Sequence, residues 1–410
     1  MPHYTARRFA GLSLLCVSLV SVSQVSFAQN WTRFRGENGT GISNQKGVPV
    51  TWSPGEVAWN VEIPGVGHSS PVIFGDRVFL TSAIDQGAVR YLHCLDAKTG
   101  KRLWSHVVGF NRSKKHAKSS WASATPVVDE SQVYIAFADK ENHTLAAYDH
   151  EGNLNWRRNL GTFESQHGQG VSPILYKHLV IIPNDQKGPS SVIALNKQTG
   201  ATVWSTLRHV RRTSYATPMI LKRPGKPDQL ICASGAMGVT SLNPENGRLN
   251  WMTGEFPLRT VASPVYAGGL IIQSCGGGGK GKLLIAVTPD GKIKYERNRV
   301  LPYVPTPIAY KDHVYLWNDN GVVSCIEAKT GKNLWTKRLG SNFSGSPICI
   351  DGKLYAMNEQ GDVIVIAASP KYQFLGKTSL GDPSHATPAI ANGRLYLRTF
   401  HRLICLEAKP

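Results

Sequence analysis

Three groupings of residues in this 410-residue chain have types and spacings that could do chemistry. Gly276 to Lys282, GGGGKGK, opens like a phosphate-cradling loop, where backbone amides and a lysine would hold a nucleotide. Leu283 stands where Ser or Thr must take Mg²⁺, and a strand-like run follows where the motif demands a helix, so the segment reads as a hairpin loop. RSKKHAKSSW, residues 112 to 121, has the charge of a nucleic-acid patch but equally that of a solvated basic loop. The loop reading is preferred, since neither an aromatic RNA-binding motif nor ordered Cys/His spacing accompanies it. The third grouping is dispersed: His68, His116, Trp121, His167, Gln169, Arg212, Tyr215, Arg259, Tyr303, Asn342 and His385. Imidazoles, guanidiniums and flat rings suit an anion or a stacked planar group, and would serve an extended peptide or glycan equally well. Taken singly, each is equally a residue of a solvated surface loop. No GxSxG elbow or HExxH pair is present, so hydrolysis has no specific support. The cysteines beyond residue 28 (Cys94, Cys232, Cys275, Cys325, Cys349 and Cys405) form no CxxC or adjacent pair, and no metal site is indicated.

The dispersed residues share one kind of address. Nearly all lie in the loop just ahead of a small residue followed by proline: Ser70-Pro71, Thr125-Pro126, Ser172-Pro173, Thr217-Pro218, Ser263-Pro264, Thr306-Pro307, Ser346-Pro347 and Thr387-Pro388. Successive prolines are 55, 47, 45, 46, 43, 40 and 41 residues apart, the period of a repeated supersecondary unit. Within each unit short β-rich runs are separated by turn dipeptides, as in PIAYKDHVYLWNDNGVVSCIEAKTGKNLW, and helical periodicity is absent. Four short antiparallel strands per unit make a propeller blade, so the expected fold is all-β: an eight-bladed β-propeller over residues 57 to 410.

LDAKTGKRLW at 95 to 104 returns as IEAKTGKNLW at 326 to 335. Asp96 can accept turn amide hydrogens, Gly100 can take the left-handed conformation, and Trp104 ends the outermost strand as an anchor against the neighbouring blade. The equivalents are Trp156, Trp204, Trp251, Tyr295 and Trp335, with Phe374 expected as a weak copy. An aromatic recurring once per unit is packing. Cys94, Cys325 and Cys405 share a register with Ala147, Ala194, Ser241, Ala286 and Ala367, which reads as a tight contact accepting only small residues. The eighth unit ends after three strands, while VAWNVEIPG at 57 to 65 is an orphan strand carrying Trp59. That strand is expected to complete blade eight, locking both chain ends into one sheet and leaving no open edge.

Residues 1 to 28 read as a signal peptide: Arg7 and Arg8, an apolar run, then Ser26-Phe27-Ala28. Residues 29 to 56 form an N-terminal extension, and no later apolar stretch is long enough to span a membrane. Export to the periplasm or beyond follows. The net charge of +19, or +17 without the leader's two arginines, favours acidic partners or serves solubility.

The turn-to-Trp element, with Asp96, Thr99, Gly100, Lys101 and Trp104 so spaced, resembles the tryptophan-docking motif of the pyrroloquinoline quinone (PQQ) dehydrogenases and their non-catalytic relatives. Among those relatives is the propeller subunit of the outer-membrane β-barrel assembly machinery, BamB. WTRFRGENGTGIS and the segment after it are also similar to exported PQQ-like propeller proteins of planctomycete bacteria. The resemblance spans roughly residues 50 to 410. It implies that the loops ahead of the anchors converge on one face around a central funnel. It also implies, for catalytic members, a Ca²⁺ site of Glu, Asn and Asp, an Asp base and usually a disulfide between adjacent cysteines. This chain lacks adjacent cysteines, and only Glu164, Glu255 and Asp382 are expected to offer carboxylates near the funnel. The expectation is therefore a non-catalytic exported scaffold without cofactor, binding an envelope protein or an anionic or planar ligand. The alternatives are a PQQ- and calcium-dependent dehydrogenase of alcohols or aldose sugars, and a glycan-binding propeller.

Overall fold

The computed structural model describes residues 1–3, 5, 29–210 and 212–409, so the expected leader lies almost wholly outside the described residues. Eight antiparallel sheets of four strands make eight blades, and blade seven gains a fifth, parallel strand. Blade one runs from Val72 to Gly109, and the pattern recurs through blade seven, which ends at Ser379. Strand composition follows position in the blade. The second strand of blade three, Leu179–Asn184, is buried at every residue because a neighbouring blade covers each of its faces. The outermost strand of the same blade, Thr202–Arg208, alternates exposed and buried residues around Trp204.

Blade eight closes the circle as expected. Its three C-terminal strands, Ala389–Ala391, Arg394–Arg398 and Arg402–Glu407, are joined by Val57–Glu62, which pairs antiparallel with the last strand and sets Trp59 opposite Cys405. No blade is left with a missing strand.

The repeated turn does two jobs. Asp96 Oδ1 accepts from the amides of Lys98 and Thr99 at 3.1 and 2.7 Å, and from Thr99 Oγ1 at 2.7 Å. Gly100 has φ of 71°, but a side chain is excluded there for a second reason: a Cβ would sit 2.6 Å from the Trp59 ring of the preceding blade. The glycine is the seat of the ring. Every docking ring also donates a hydrogen bond to a turn carbonyl of the next blade. Trp59 reaches Ala97 O at 3.2 Å, Trp104 His150 O at 3.0 Å, Trp156 Lys197 O at 2.9 Å and Trp204 Pro244 O at 3.1 Å. Trp251 reaches Pro289 O at 2.9 Å, Tyr295 Ala328 O at 2.9 Å and Trp335 Ser369 O at 3.0 Å. Cys94, Cys325 and Cys405 lie directly opposite such a ring, which explains why the register accepts only small residues. All six described cysteines are free and buried, and burial pushes the Cys94, Cys325 and Cys405 thiols up to about 12.

Blade seven departs from the expected register. Val365, not Ala367, stands opposite the docking position, and that position is Gly376, not Phe374, whose side chain is 52 % exposed. A Cβ on Gly376 would lie 2.4 Å from Thr51 and 2.6 Å from the Val50 carbonyl. The N-terminal extension thus covers the place of the missing ring, and Trp52 is buried in the core shared by blades seven and eight.

The anchors carry a second circle of contacts. Each anchor amide donates to the hydroxyl of the next blade's anchor: Ser70 to Thr125, Thr125 to Ser172, Ser172 to Thr217, Thr217 to Ser263, Ser263 to Thr306, Thr306 to Ser346 and Ser346 to Thr387, at 2.9 to 3.3 Å. A hydroxyl, not merely small size, is what the position requires. At the eighth seam Arg398 takes over, fully buried, donating to the carbonyl oxygens of Ser69 at 2.8 Å and Thr81 at 2.5 Å.

Residues 31 to 43 thread the centre of the disc, deeper along the inner strands than the anchors. Trp31 pairs with Ile73 of blade one, Val128 of blade two donates to Thr32 O, Asn38 exchanges hydrogen bonds with Ile220 of blade four, and Ile42–Ser43 form the fifth strand of blade seven. An extension read only as a lead-in is a stopper for the channel.

Candidate functional site

The face carrying the loops ahead of the anchors opens into a funnel of about 980 Å³, within the range of small-molecule sites. Nine of the eleven dispersed residues line it: His68, His116, His167, Arg212, Tyr215, Arg259, Tyr303, Asn342 and His385. Their backbones are held by the same seam logic as the blades. The His68 amide donates to Ala122 O at 3.0 Å, Tyr215 to Thr260 O at 3.0 Å, and Tyr303 O accepts from Ala262 at 3.1 Å, so each loop is pinned to the next.

Trp121 and Gln169 are not part of the lining. Trp121 donates to Ser113 O at 2.8 Å and packs on Gly87, where a Cβ would be 2.3 Å from its ring, so it staples its own loop to blade one. Gln169 is buried and turns back to Val171 O at 2.6 Å. Both are aromatic or amide residues in the right loop whose side chains satisfy local packing first.

Other lining residues come from places the repeat argument passed over. Lys118, in the basic 112–121 loop, reaches across to Glu359 of blade seven at 2.8 Å, so that loop straps the funnel and is not simply solvated. Gly276 to Gly279 form the expected hairpin loop of blade five, yet they also make funnel wall. Gly276 bridges Arg259, and a Cβ there would be 2.8 Å from Tyr303. Phe34 of the threaded extension also lines the funnel. None of Glu164, Glu255 and Asp382 lines it; the acids present are Asp319, in the lining, and Glu359, on its strap. Asp319 sits in a hairpin between the second and third strands of blade six, outside the loops that the anchors mark.

The imidazoles stand in two pairs. His68 and His385 have ring centroids 4.6 Å apart, and His116 and His167 4.5 Å apart. Burial, then the nearby His385, Arg398 and Lys115, holds His68 well below the usual range. Burial, then Arg259 and His116, brings His167 to about 4. Burial lowers His385 too, against the pull of Glu359. At neutral pH the His68, His167 and His385 rings are neutral, set among the cations Lys118, Arg212 and Arg259. Arg259 is steadied by Gln166 at 3.2 Å.

The carboxylates are committed elsewhere. Asp319 Oδ2 accepts from the Tyr303 and Val304 amides at 2.8 and 3.3 Å, and burial raises its pKa. Glu359 accepts from Lys118 at 2.8 Å and Ser344 at 2.6 Å. Among the described residues no group of three His, Cys, Asp or Glu side chains could hold a metal ion. Calcium takes six to eight oxygen ligands, usually including several carboxylates, so this donor set does not fit the calcium-quinone centre. The cations and hydrogen-bonding side chains of the wall have the chemistry to hold anionic or hydrogen-bonding groups.

The chain matches the family model described as outer membrane protein assembly factor BamB over residues 52–218, 92–336 and 304–370. It is 24% identical over 391 residues to BamB of Yersinia pestis, covering 93% of this chain and 84% of that protein. BamB of Burkholderia pseudomallei is 34% identical over 98 residues, a quarter of its length. A polyvinylalcohol dehydrogenase from a Pseudomonas species is 26% identical over 235 residues, 51% of this chain and 34% of that one. In structure the fold matches BamB from Moraxella catarrhalis with a TM-score of 0.61 at 14% identity, covering 86% of this chain and 97% of that one. Quinohemoprotein alcohol dehydrogenase from Comamonas testosteroni matches at 0.68 and 13% identity, covering 93% and 80%. The repeat, the closed disc and the family match agree: this chain belongs to the BamB family of PQQ-like eight-bladed propellers.

Proposed function

We propose that this protein is an exported, non-catalytic binding propeller that serves outer-membrane protein assembly by holding a partner at its funnel face. One observation carries the reading. The funnel is lined by cations and imidazoles, while its acids, Asp319 and Glu359, already have hydrogen-bonding partners. Such a wall favours an acidic or hydrogen-bonding partner, and neither of its two acids is left unpartnered. The assembly role itself comes from the relatives' names, Outer membrane protein assembly factor BamB. Among the described residues no helix is long and apolar enough to cross a membrane.

The test is surface plasmon resonance of the purified protein against the purified periplasmic components of the barrel-assembly machinery of its source bacterium. Binding to one component, weakened at least tenfold in Arg212→Ala/Arg259→Ala, is expected. No binding to any component would overturn the role, and equal affinity of the double variant would remove the funnel from it. Dye reduction with alcohols or aldose sugars after adding PQQ and calcium is expected to be nil.

A further inference from the structure

The anchor hydroxyls have a use beyond the seams they close. Thr125, Ser172, Thr217, Ser263, Thr306, Ser346 and Thr387 all line the funnel, each between 2 % and 7 % exposed. In each, a lone pair of the oxygen receives the amide of the blade before. A hydroxyl is also a donor, and among the described residues none of the seven finds an acceptor for its own proton. Buried donors are paired in folded proteins, so seven O–H groups arranged around one axis call for an acceptor at the throat.

The charge below the throat points the same way. Phe34, in the lining, is flanked by Arg33 and Arg35, 7 % and 0 % exposed, which reach the carbonyls that follow two of these anchors: Pro218 O at 2.7 Å and Pro347 O at 3.4 Å. Among the described residues no carboxylate pairs with either. Arg33 Nε, Arg35 Nε and Arg35 Nη1 have no hydrogen-bond partner. Two buried cations without a counter-charge are costly unless an anion sits near them.

We propose that the throat of the funnel, between the anchor hydroxyls and Phe34, is an oxyanion site, taking a single phosphate or carboxylate group through O–H donors of neighbouring anchors, with Arg33 and Arg35 supplying the compensating charge. It goes beyond the partner docked at the rim and stands whether or not that partner is an assembly component. A ligand or partner segment bearing a terminal carboxylate or a phosphate would be held by that end.

Isothermal titration of the mature protein with sodium phosphate, and separately with sodium acetate, at constant ionic strength, tests this. Saturable one-to-one binding of both probes is expected for a general oxyanion site, and of phosphate alone for a phosphate site. Thr217→Val/Thr306→Val, which removes two donors at constant shape, should weaken binding at least tenfold, while Thr217→Ser/Thr306→Ser should stay within about twofold of the parent. If the valine pair does not fold, the single variants Ser263→Ala and Ser346→Ala serve, each expected to lose two- to fivefold. Failure of both probes to bind, or parental affinity in folded hydroxyl-less variants, overturns the site. No assembly component is present in this titration, so its failure leaves the docking reading standing, and the reverse.

Discussion

Five of the eight seams between blades are built from one kit, a sixth, under Trp335, has the kit without its glycine, and two are built differently. At the seam between blades three and four, Trp204 sits on Gly247, bonds Pro244 O, and the anchor hydroxyl of Thr217 takes the Ser172 amide. At the seam between blades eight and one the chain meets its own beginning. Trp59 still docks on Gly100, but it arrives on the N-terminal strand, and Arg398 replaces the hydroxyl step. Between blades seven and eight the ring is absent altogether, and Val50 and Thr51 fill in over Gly376. A repeat supplies every contact that one unit can make to the next copy of itself. The joint that turns a row of units into a circle has to come from residues outside the repeat, and here the N-terminal extension supplies most of it.

This contrast can be broken by experiment. Removing residues 29 to 65 takes away the fourth strand of blade eight, the Trp59 dock, the cover over Gly376 and the channel stopper together. The truncated chain is expected to lose its cooperative melting transition by circular dichroism; an unchanged transition would mean that the internal seams suffice. Trp204→Ala leaves a cavity at an ordinary seam and should cost about 3–5 kcal/mol in a denaturant titration. Phe374→Ala, in the blade that lacks a docked ring, should stay within about 0.5 kcal/mol, because its exposed ring seats on nothing. Arg398→Met leaves two buried carbonyls without charged donors, at about 1–3 kcal/mol each, partly offset by removal of a buried charge. Its effect should appear as earlier opening of the blade-eight to blade-one seam by hydrogen exchange.

Acid should act on that same seam. His93 is brought to about 3 by burial and then by Arg398 and Arg102, and His68 is lowered by burial, His385, Arg398 and Lys115. In the unfolded chain both titrate near 6.5, so at lower pH the unfolded state binds more protons than the folded one. Their contribution is complete above about pH 6.5 and is lost as pH falls from there toward the depressed folded values. A melting temperature that drops across pH 6.5 to 4, with a shallower drop in Arg398→Met, is the expected result. A flat profile in the parent would remove the histidines from the closure.

What could be read from the sequence divides along the same line. The eight blades, the docking rings and the closing strand were legible because each follows from a period, and Trp59 opposite Cys405 follows from counting strands. Most of the funnel was legible by address, since any residue just ahead of an anchor must lie on that face. Trp121 and Gln169 were misplaced because address does not say which way a side chain turns, and Gly87 and Val171 O offered nearer partners. Lys118 and Asp319 were missed for complementary reasons. Lys118 was hidden in a run that read as solvated charge, and Asp319 lies in a different set of hairpins that reaches the same funnel. Arg33, Phe34 and Arg35 precede the repeat, where no periodic argument applies. The blade-seven register slipped because the stretch from Val365 to Gly376 is one residue longer than that from Cys94 to Trp104, and neither the turn glycine nor the ring that would mark it is present.

The central claim is that the chain's two ends are locked into one sheet. Hydrogen-exchange mass spectrometry of the protein reads this directly on peptides covering residues 57–62 and 402–407. Closure predicts that the two segments exchange together, as slowly as the paired strands of blade three. Rapid exchange of 57–62 while 402–407 stays protected would contradict it.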